Sequence, residues 1–259
     1  MAFLECNFFS DTLGLSTSMS VILPQEACRQ IGQKNRTRAG RPPVLYLLHG
    51  LSDDHTIWMR RTSVERYAAP LGLAVVMPAV HRSFYADTRY GHRYWTFVSE
   101  ELPGICGAFF NISNNREDTF VAGLSMGGYG AFKLALQRPD TFAAAASLSG
   151  VMDVRRFAKT GADDNLRREL TAIFGSVNGL SGGGNDLFML AQQRAKKKAR
   201  LPRLYMHCGT EDVLHQDNVR FHKHLDKLGV NHCYEEGRGD HEWGLWDRQI
   251  RRVLQWMMQ

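Results

Sequence analysis

Residues 119–136 read TFVAGLSMGGYGAFKLAL, an apolar run that passes through Gly123-Leu124-Ser125-Met126-Gly127 into a stretch of helical character. No other segment constrains the fold as strongly. A serine two residues from each of two glycines, at a strand-to-helix junction, fits a turn so sharp that flanking side chains would collide and the serine backbone is strained. The hydroxyl is then exposed at a helix N-terminus, where free amides and the helix dipole favour developing negative charge. A plainer reading is that the glycines only let a helix pack closely on a strand. The nucleophile reading makes further demands, because a serine hydroxyl is a poor nucleophile near neutral pH without a base, an orienting carboxylate and an oxyanion site.

The rest of the chain alternates short apolar runs with longer helical stretches, as expected of a mostly parallel sheet covered on both faces. The strand candidates are Val44–Leu48, Leu73–Met77, Thr119–Leu124, Ala143–Leu148 and Arg203–His207, with a last one around His232–Glu235. Helices are expected over Thr62–Leu71, around Ser99–Phe110, over Met126–Gln137 and over Asn218–Leu228, with one more at the C-terminus. The N-terminal segment, with Thr17–Leu23 ending at Pro24, reads as an extended antiparallel edge. At 259 residues the chain suits one large α/β domain, 1–259. Within it, 151–202 reads as an insertion at the substrate entrance, too short for a large cap.

In an α/β hydrolase the triad follows the chain order serine, acid, histidine, each at or beyond the C-terminal end of a strand. Downstream of Ser125, the strand Arg203–His207 runs into Cys208-Gly-Thr-Glu211-Asp212, which makes Asp212 the acid candidate. Glu211 would point elsewhere, and Asp217 falls at the start of the next helix. Ten histidines compete for the base. His222 and His224, two apart on a helix, face different directions, and His49 precedes a loop that suits an oxyanion site. His241 stands in the turn-rich Glu236-Gly-Arg-Gly-Asp240-His241, from which an imidazole can return over the sheet edge to Ser125 with its other nitrogen on Asp212. Asp240 is read as structural. Backbone amides of Met126, after the nucleophile, and of Leu51, after the His49-Gly50 turn, are the oxyanion-hole candidates.

Charge and cysteine usage narrow the partners. The formal charge of +6 raises the question of anionic ligands. Its densest runs, Lys34–Arg41 and Arg194–Arg200, neither interleave aromatics nor form a nucleic-acid motif, so they read as solvated surface and no nucleic-acid partner is expected. The Gly-rich Ser176–Asp186, with Gly182–Gly184, reads as another surface connection. Five widely spaced cysteines without a CxxC pair argue against a disulfide framework or thiolate zinc site. No secretory signal and no apolar run of roughly 18 residues is present, so the expectation is a cytoplasmic protein with no membrane partner.

The stretches VLYLLHGLSDDHTIWMRRTSVER (Val44–Arg66), YADTRYGHRYWTFVSEELP (Tyr85–Pro103), FVAGLSMGGYGAFKLAL (Phe120–Leu136), HCGTEDVLH (His207–His215) and GDHEWGLWD (Gly239–Asp247) resemble the esterase D-like branch of the α/β hydrolases, and within it the bacterial tributyrin esterases. The resemblance spans nearly the whole chain. It implies an α/β-hydrolase fold without a large cap domain. It also implies a serine carboxylesterase acting on short acyl esters through an acyl-enzyme, with no metal or organic cofactor. Ser125, Asp212 and His241 would form the triad and the amides of Leu51 and Met126 the oxyanion hole. Trp95 falls where these esterases place an aromatic residue near the acyl pocket, although an ordinary core tryptophan reads equally well. The related esterases often assemble into homo-oligomers. The sibling S-formylglutathione hydrolases share triad and fold, but their motif usually reads GHSMGGHG, whereas Leu124 and Tyr129 take the two histidine positions here. An acyltransferase using the same triad and a non-catalytic hydrolase-like binding protein complete the alternatives.

Overall fold

Strands in which every side chain is apolar or small need cover on both faces, and this chain supplies it. The computed structural model describes all residues except 28, 30, 33, 34, 161, 162, 177–179, 181 and 182. Its strands are β1 (Ala2–Ser10), β2 (Leu15–Leu23), β3 (Val44–Leu48), β4 (Ala74–Pro78), β5 (Thr119–Leu124), β6 (Ala144–Leu148), β7 (Arg203–Gly209) and β8 (Cys233–Gly237). They form one sheet in the order β1-β2-β4-β3-β5-β6-β7-β8. β1 and β2 are antiparallel, β2 joins β4 antiparallel, and every pairing from β4 to β8 is parallel. This is the mostly parallel sheet expected from the strand and helix alternation, and the α/β-hydrolase fold that the resemblance implies, with the antiparallel edge on the N-terminal side.

Every residue of β3, β4, β5 and β6 is buried. Alternate side chains serve the two faces. Leu45, Leu47, Val75 and Ala122 pack with Trp58, Trp246, Ile250 and Val253, while Tyr46, Val76 and Val121 pack with Met126, Phe132 and Phe221 on the other side. The parallel strands therefore end in one row, and the loops leaving β3, β5, β7 and β8 meet above it.

Two expected helices are broken in the structure. Thr62–Leu71 is divided into Val64–Ala68 and a 3₁₀ turn Ala69–Leu71 that ends at left-handed Gly72. Pro70 has no amide to continue the α-helical ladder. Ser99–Phe110 begins instead at Tyr94, passes through a π-helical turn Phe97–Glu101, and continues as Leu102–Phe109, with Pro103 at the junction.

The segment 151–202, read as an insertion at the substrate entrance, contains three helices among the described residues: Val154–Thr160, Asp164–Phe174 and Leu187–Lys196. Asp163 and Asp186 cap the latter two, accepting from the Leu166 and Met189 amides at 2.8 and 3.2 Å. Arg194 is also not free in solvent, since its guanidinium donates to the carbonyls of Leu136 and Gln137 and closes the end of Met126–Gln137. The expected Ser176–Asp186 connection and the basic stretch from Lys34 lie in part outside the described residues, as does Cys28. Among the described residues no helix is long and apolar enough to cross a membrane.

Candidate active site

Ser125 joins β5 to the helix Met126–Gln137 with φ +52° and ψ −118°, a backbone conformation that costs a non-glycine residue about 1–3 kcal/mol. The surrounding structure holds it there. The Ser125 amide donates to the Leu148 carbonyl at 2.9 Å, and its own carbonyl accepts from Tyr129 and Val151. A Cβ on Gly123 would sit 2.4 Å from the Gly127 backbone, and one on Gly127 would sit 2.3 Å from the Leu48 carbonyl oxygen. The two glycines of the pentapeptide are thus required by contact between β5, β3 and the helix start. Met126 is the first residue of that helix, so no carbonyl one turn behind it takes up its amide.

Asp212 and His241 come together across the ends of β7 and β8. A Cβ on Gly209 would lie 2.1 Å from the Gly239 carbonyl oxygen, which is how closely the two loops approach. Backbone bonds Thr210 to Gly237 and Glu211 to Gly239, at 2.9 and 3.0 Å, pin them in register. His241 Nδ1 lies 2.9 Å from Asp212 Oδ2, and the other carboxylate oxygen accepts from the Leu214 amide at 2.8 Å. Burial would raise the Asp212 pKa, but hydrogen bonding to His241, the imidazole's charge, the Leu214 amide and the Ser149 hydroxyl together hold it below the ordinary carboxylate value. The imidazole also meets the Trp246 ring edge to face, centroids 4.8 Å apart.

The turn after β3 carries the Leu51 amide, and His49 fixes that turn. Its Nδ1 donates to the Gly50 carbonyl at 2.8 Å and its Nε2 accepts from the Val80 amide at 3.1 Å. Burial depresses its pKa to about 4, so it is neutral and works as a brace. The phenol of fully buried Tyr85 donates to the His49 carbonyl at 3.0 Å. Removing that donor leaves a buried acceptor unpaired, so Tyr85→Phe is expected to lower the unfolding free energy by about 1–3 kcal/mol. Urea unfolding reads this directly, and an unchanged midpoint would show that the phenol does not support the turn.

Ser125 and His241 line one open cavity of about 410 Å³, together with Leu51, Asp53, Arg82 and Phe157 among others. Trp243, Trp246, Leu124 and Leu214 complete an apolar wall. Trp95 is not part of this lining. It is partly buried against the core, with the Lys133 ammonium 4.7 Å over its ring. The aromatic walls of the cavity come instead from the start of the C-terminal helix and from Phe157.

A family model described as putative esterase matches residues 10–257. The chain belongs to this esterase family. An acetyl esterase of Caldicellulosiruptor saccharolyticus is 31% identical over 264 residues, covering 99% of this chain and 98% of that protein. A substrate-bound structure of FphF, a fluorophosphonate-binding serine hydrolase of Staphylococcus aureus, superposes with TM-score 0.89 at 36% identity, covering 100% of this chain and 98% of that one. The S-formylglutathione hydrolase FrmB of Staphylococcus aureus, without ligand, gives 0.87 at 36% identity, covering 100% and 99%.

The esterase is a serine esterase of α/β-hydrolase fold; the structure brings Ser125, His241 and Leu51 to one cavity, sets Asp212 against His241 and Met126 beside Ser125, and leaves Trp95 outside that lining. Three supporting residues carried no signal. Ser149, at φ +49°, hydrogen-bonds Asp212 and accepts from Trp246 Nε1 at 3.1 Å. Glu211 accepts from the Gly239 amide and pairs with Arg238, which ties the histidine loop down. Arg82 meets Glu169 through two bonds of 2.6 and 2.7 Å, joining the rim of the cavity to the helix Asp164–Phe174. Each lies far in sequence from its partner, so only the fold reveals it.

Proposed function

We propose that the esterase is a serine carboxylesterase that cleaves short-chain acyl esters, in the manner of the tributyrin esterases. Ser125 Oγ attacks the ester carbonyl while His241 Nε2 takes its proton. Asp212 holds the imidazole with Nδ1–H toward the carboxylate and stabilises the imidazolium that forms. The oxyanion is met by the amides of Leu51 and Met126, and His241 returns the proton to the departing alcohol. Water, deprotonated by the same imidazole, then attacks the acyl-enzyme to release the acid and free Ser125.

One observation carries this reading: the strained Ser125 shares its cavity with an imidazole whose far nitrogen is 2.9 Å from a buried carboxylate. The size and apolar wall of that cavity suit small acyl groups, and Phe157 brings the 151–202 segment to its edge. The similarity to FrmB favours a second reading as an S-formylglutathione hydrolase, against which stand Leu124 and Tyr129 at the motif's histidine positions.

Hydrolysis of p-nitrophenyl esters from acetate to octanoate, with S-formylglutathione in the same panel, separates the readings. The expected result is a maximum of kcat/KM among the shortest esters, falling roughly tenfold or more by octanoate as the chain outgrows the cavity. A higher kcat/KM on S-formylglutathione than on every ester would move the function to the thioesterase. No turnover of any substrate would leave a binding protein.

A further inference from the structure

The helix His215–Lys227 begins just after Asp212 and carries His222 and Asp226 one turn apart near its other end. Gly229, at φ +66°, closes that end: its amide donates to the Asp226 carbonyl at 2.9 Å and the Val230 amide donates to Leu225 at 3.0 Å. This reversal lays His232 back against the helix terminus. His224, two residues from His222, points away to the Phe188 carbonyl at 3.0 Å and takes no part.

The three side chains converge. The His232 side chain is almost fully covered, and its Nδ1 donates to the Val230 carbonyl at 2.8 Å, so a lone pair is left on Nε2. That Nε2 lies 2.8 Å from His222 Nδ1, and 3.9 Å from Asp226 Oδ1. His222 Nε2 lies 3.3 Å from Asp226 Oδ2, and its ring is stacked on Tyr234 at 4.4 Å and 14°. A neutral His222 has one N–H and cannot donate to both His232 and Asp226. A cation bound by one His222 nitrogen, His232 Nε2 and an Asp226 oxygen removes the need for His222 to donate to both.

We propose that His222, His232 and Asp226 form a binding site for a zinc-class divalent transition metal ion, separate from the Ser125 cavity. One ligand atom from each residue already lies within 4.8 Å of the others. A tetrahedral zinc with bonds of about 2.0–2.1 Å needs its ligands roughly 3.3 Å apart, so small side-chain adjustments suffice. Two imidazoles and one carboxylate suit zinc, cobalt, nickel or copper better than magnesium or calcium. The Nδ1 bond to Val230 is the outer support that fixes the tautomer of a metal-bound imidazole. The ion would staple the C-terminal end of the helix to the entry of β8, the crossover whose other ends lead from Asp212 and to His241. The role is structural and independent of the esterase chemistry.

The test uses the full chain without a polyhistidine tag, stripped with EDTA and titrated with ZnCl₂ by calorimetry and thermal unfolding. One zinc per chain is expected, with a rise in Tm of several degrees at a zinc concentration of about a hundred times Kd. Asp226→Asn, at an exposed position that the fold tolerates, and His222→Gln should each weaken zinc binding by roughly tenfold or more and remove the Tm shift. His215→Gln, at the neighbouring pair with Glu236, should bind as the wild type does. Absence of saturable binding below about 100 μM zinc, or wild-type affinity in both Asp226→Asn and His222→Gln, overturns the proposal.

Discussion

Ser125→Ala is expected to lower kcat on the best p-nitrophenyl ester by about 10⁵- to 10⁶-fold while the protein keeps its thermal unfolding midpoint. The oxygen that must form the acyl bond is gone, whereas the strained backbone at φ +52° is held by contacts that alanine retains. His241→Ala should cost nearly as much, because the hydroxyl then has no base. Asp212→Asn should cost about 10⁴-fold, since the amide can turn its NH₂ toward Nδ1 and select the wrong imidazole tautomer. The decisive measurement is the double variant Ser125→Ala/His241→Ala. Residues that act as one unit lose function once, so the double variant should be no slower than the slower single variant. Multiplying penalties, or survival of most activity in Ser125→Ala, would show that these two residues do not share a reaction step.

The parts of this molecule legible in the sequence are those whose signal is local. The pentapeptide around Ser125 announces its turn because a Cβ on Gly123 or Gly127 would come within 2.4 or 2.3 Å of backbone atoms, which leaves room for glycine alone. Asp212 and His241 were legible because strand ends and chain order place them, before any contact between them is known. Trp95 had only a position in a resemblance to support it, and its ring packs beside buried Lys133 rather than in the cavity lining. The helices of 151–202 were hidden by a Gly-rich and basic composition, although Asp163 and Asp186 stand at their starts as capping residues. Ser149, Glu211 and Arg82 were invisible for a different reason. Their roles are contacts with residues brought near by the sheet, and a polar side chain before folding does not name its partner.

Two histidines outside the reaction make the fold sensitive to acid. His49 and His207 are both buried, and burial lowers each imidazole pKa to about 4. In the unfolded chain each titrates near the ordinary value of about 6.5. A folded-state pKa below the unfolded one means that the unfolded chain binds more protons between the two values. Stability from this source is therefore intact above pH 6.5, falls with pH between about 6.5 and 4, and levels off below. At pH 5 each histidine should cost about 2 kcal/mol relative to pH 7.5, or roughly 4 kcal/mol together. Asp53 and Asp217, whose carboxyl pKa values burial raises, act in the opposite sense and reduce this penalty. Urea unfolding at pH 7.5 and 5.0 measures the difference. His207→Leu offers the sharper comparison, because His207 Nδ1 has no hydrogen-bond partner among the described residues and leucine fills a similar apolar space in β7. That variant should retain only about half of the acid penalty. A wild type whose stability changes by less than about 1 kcal/mol over this range, or a leucine variant with the full wild-type slope, would mean that these imidazoles are not buried in their neutral form.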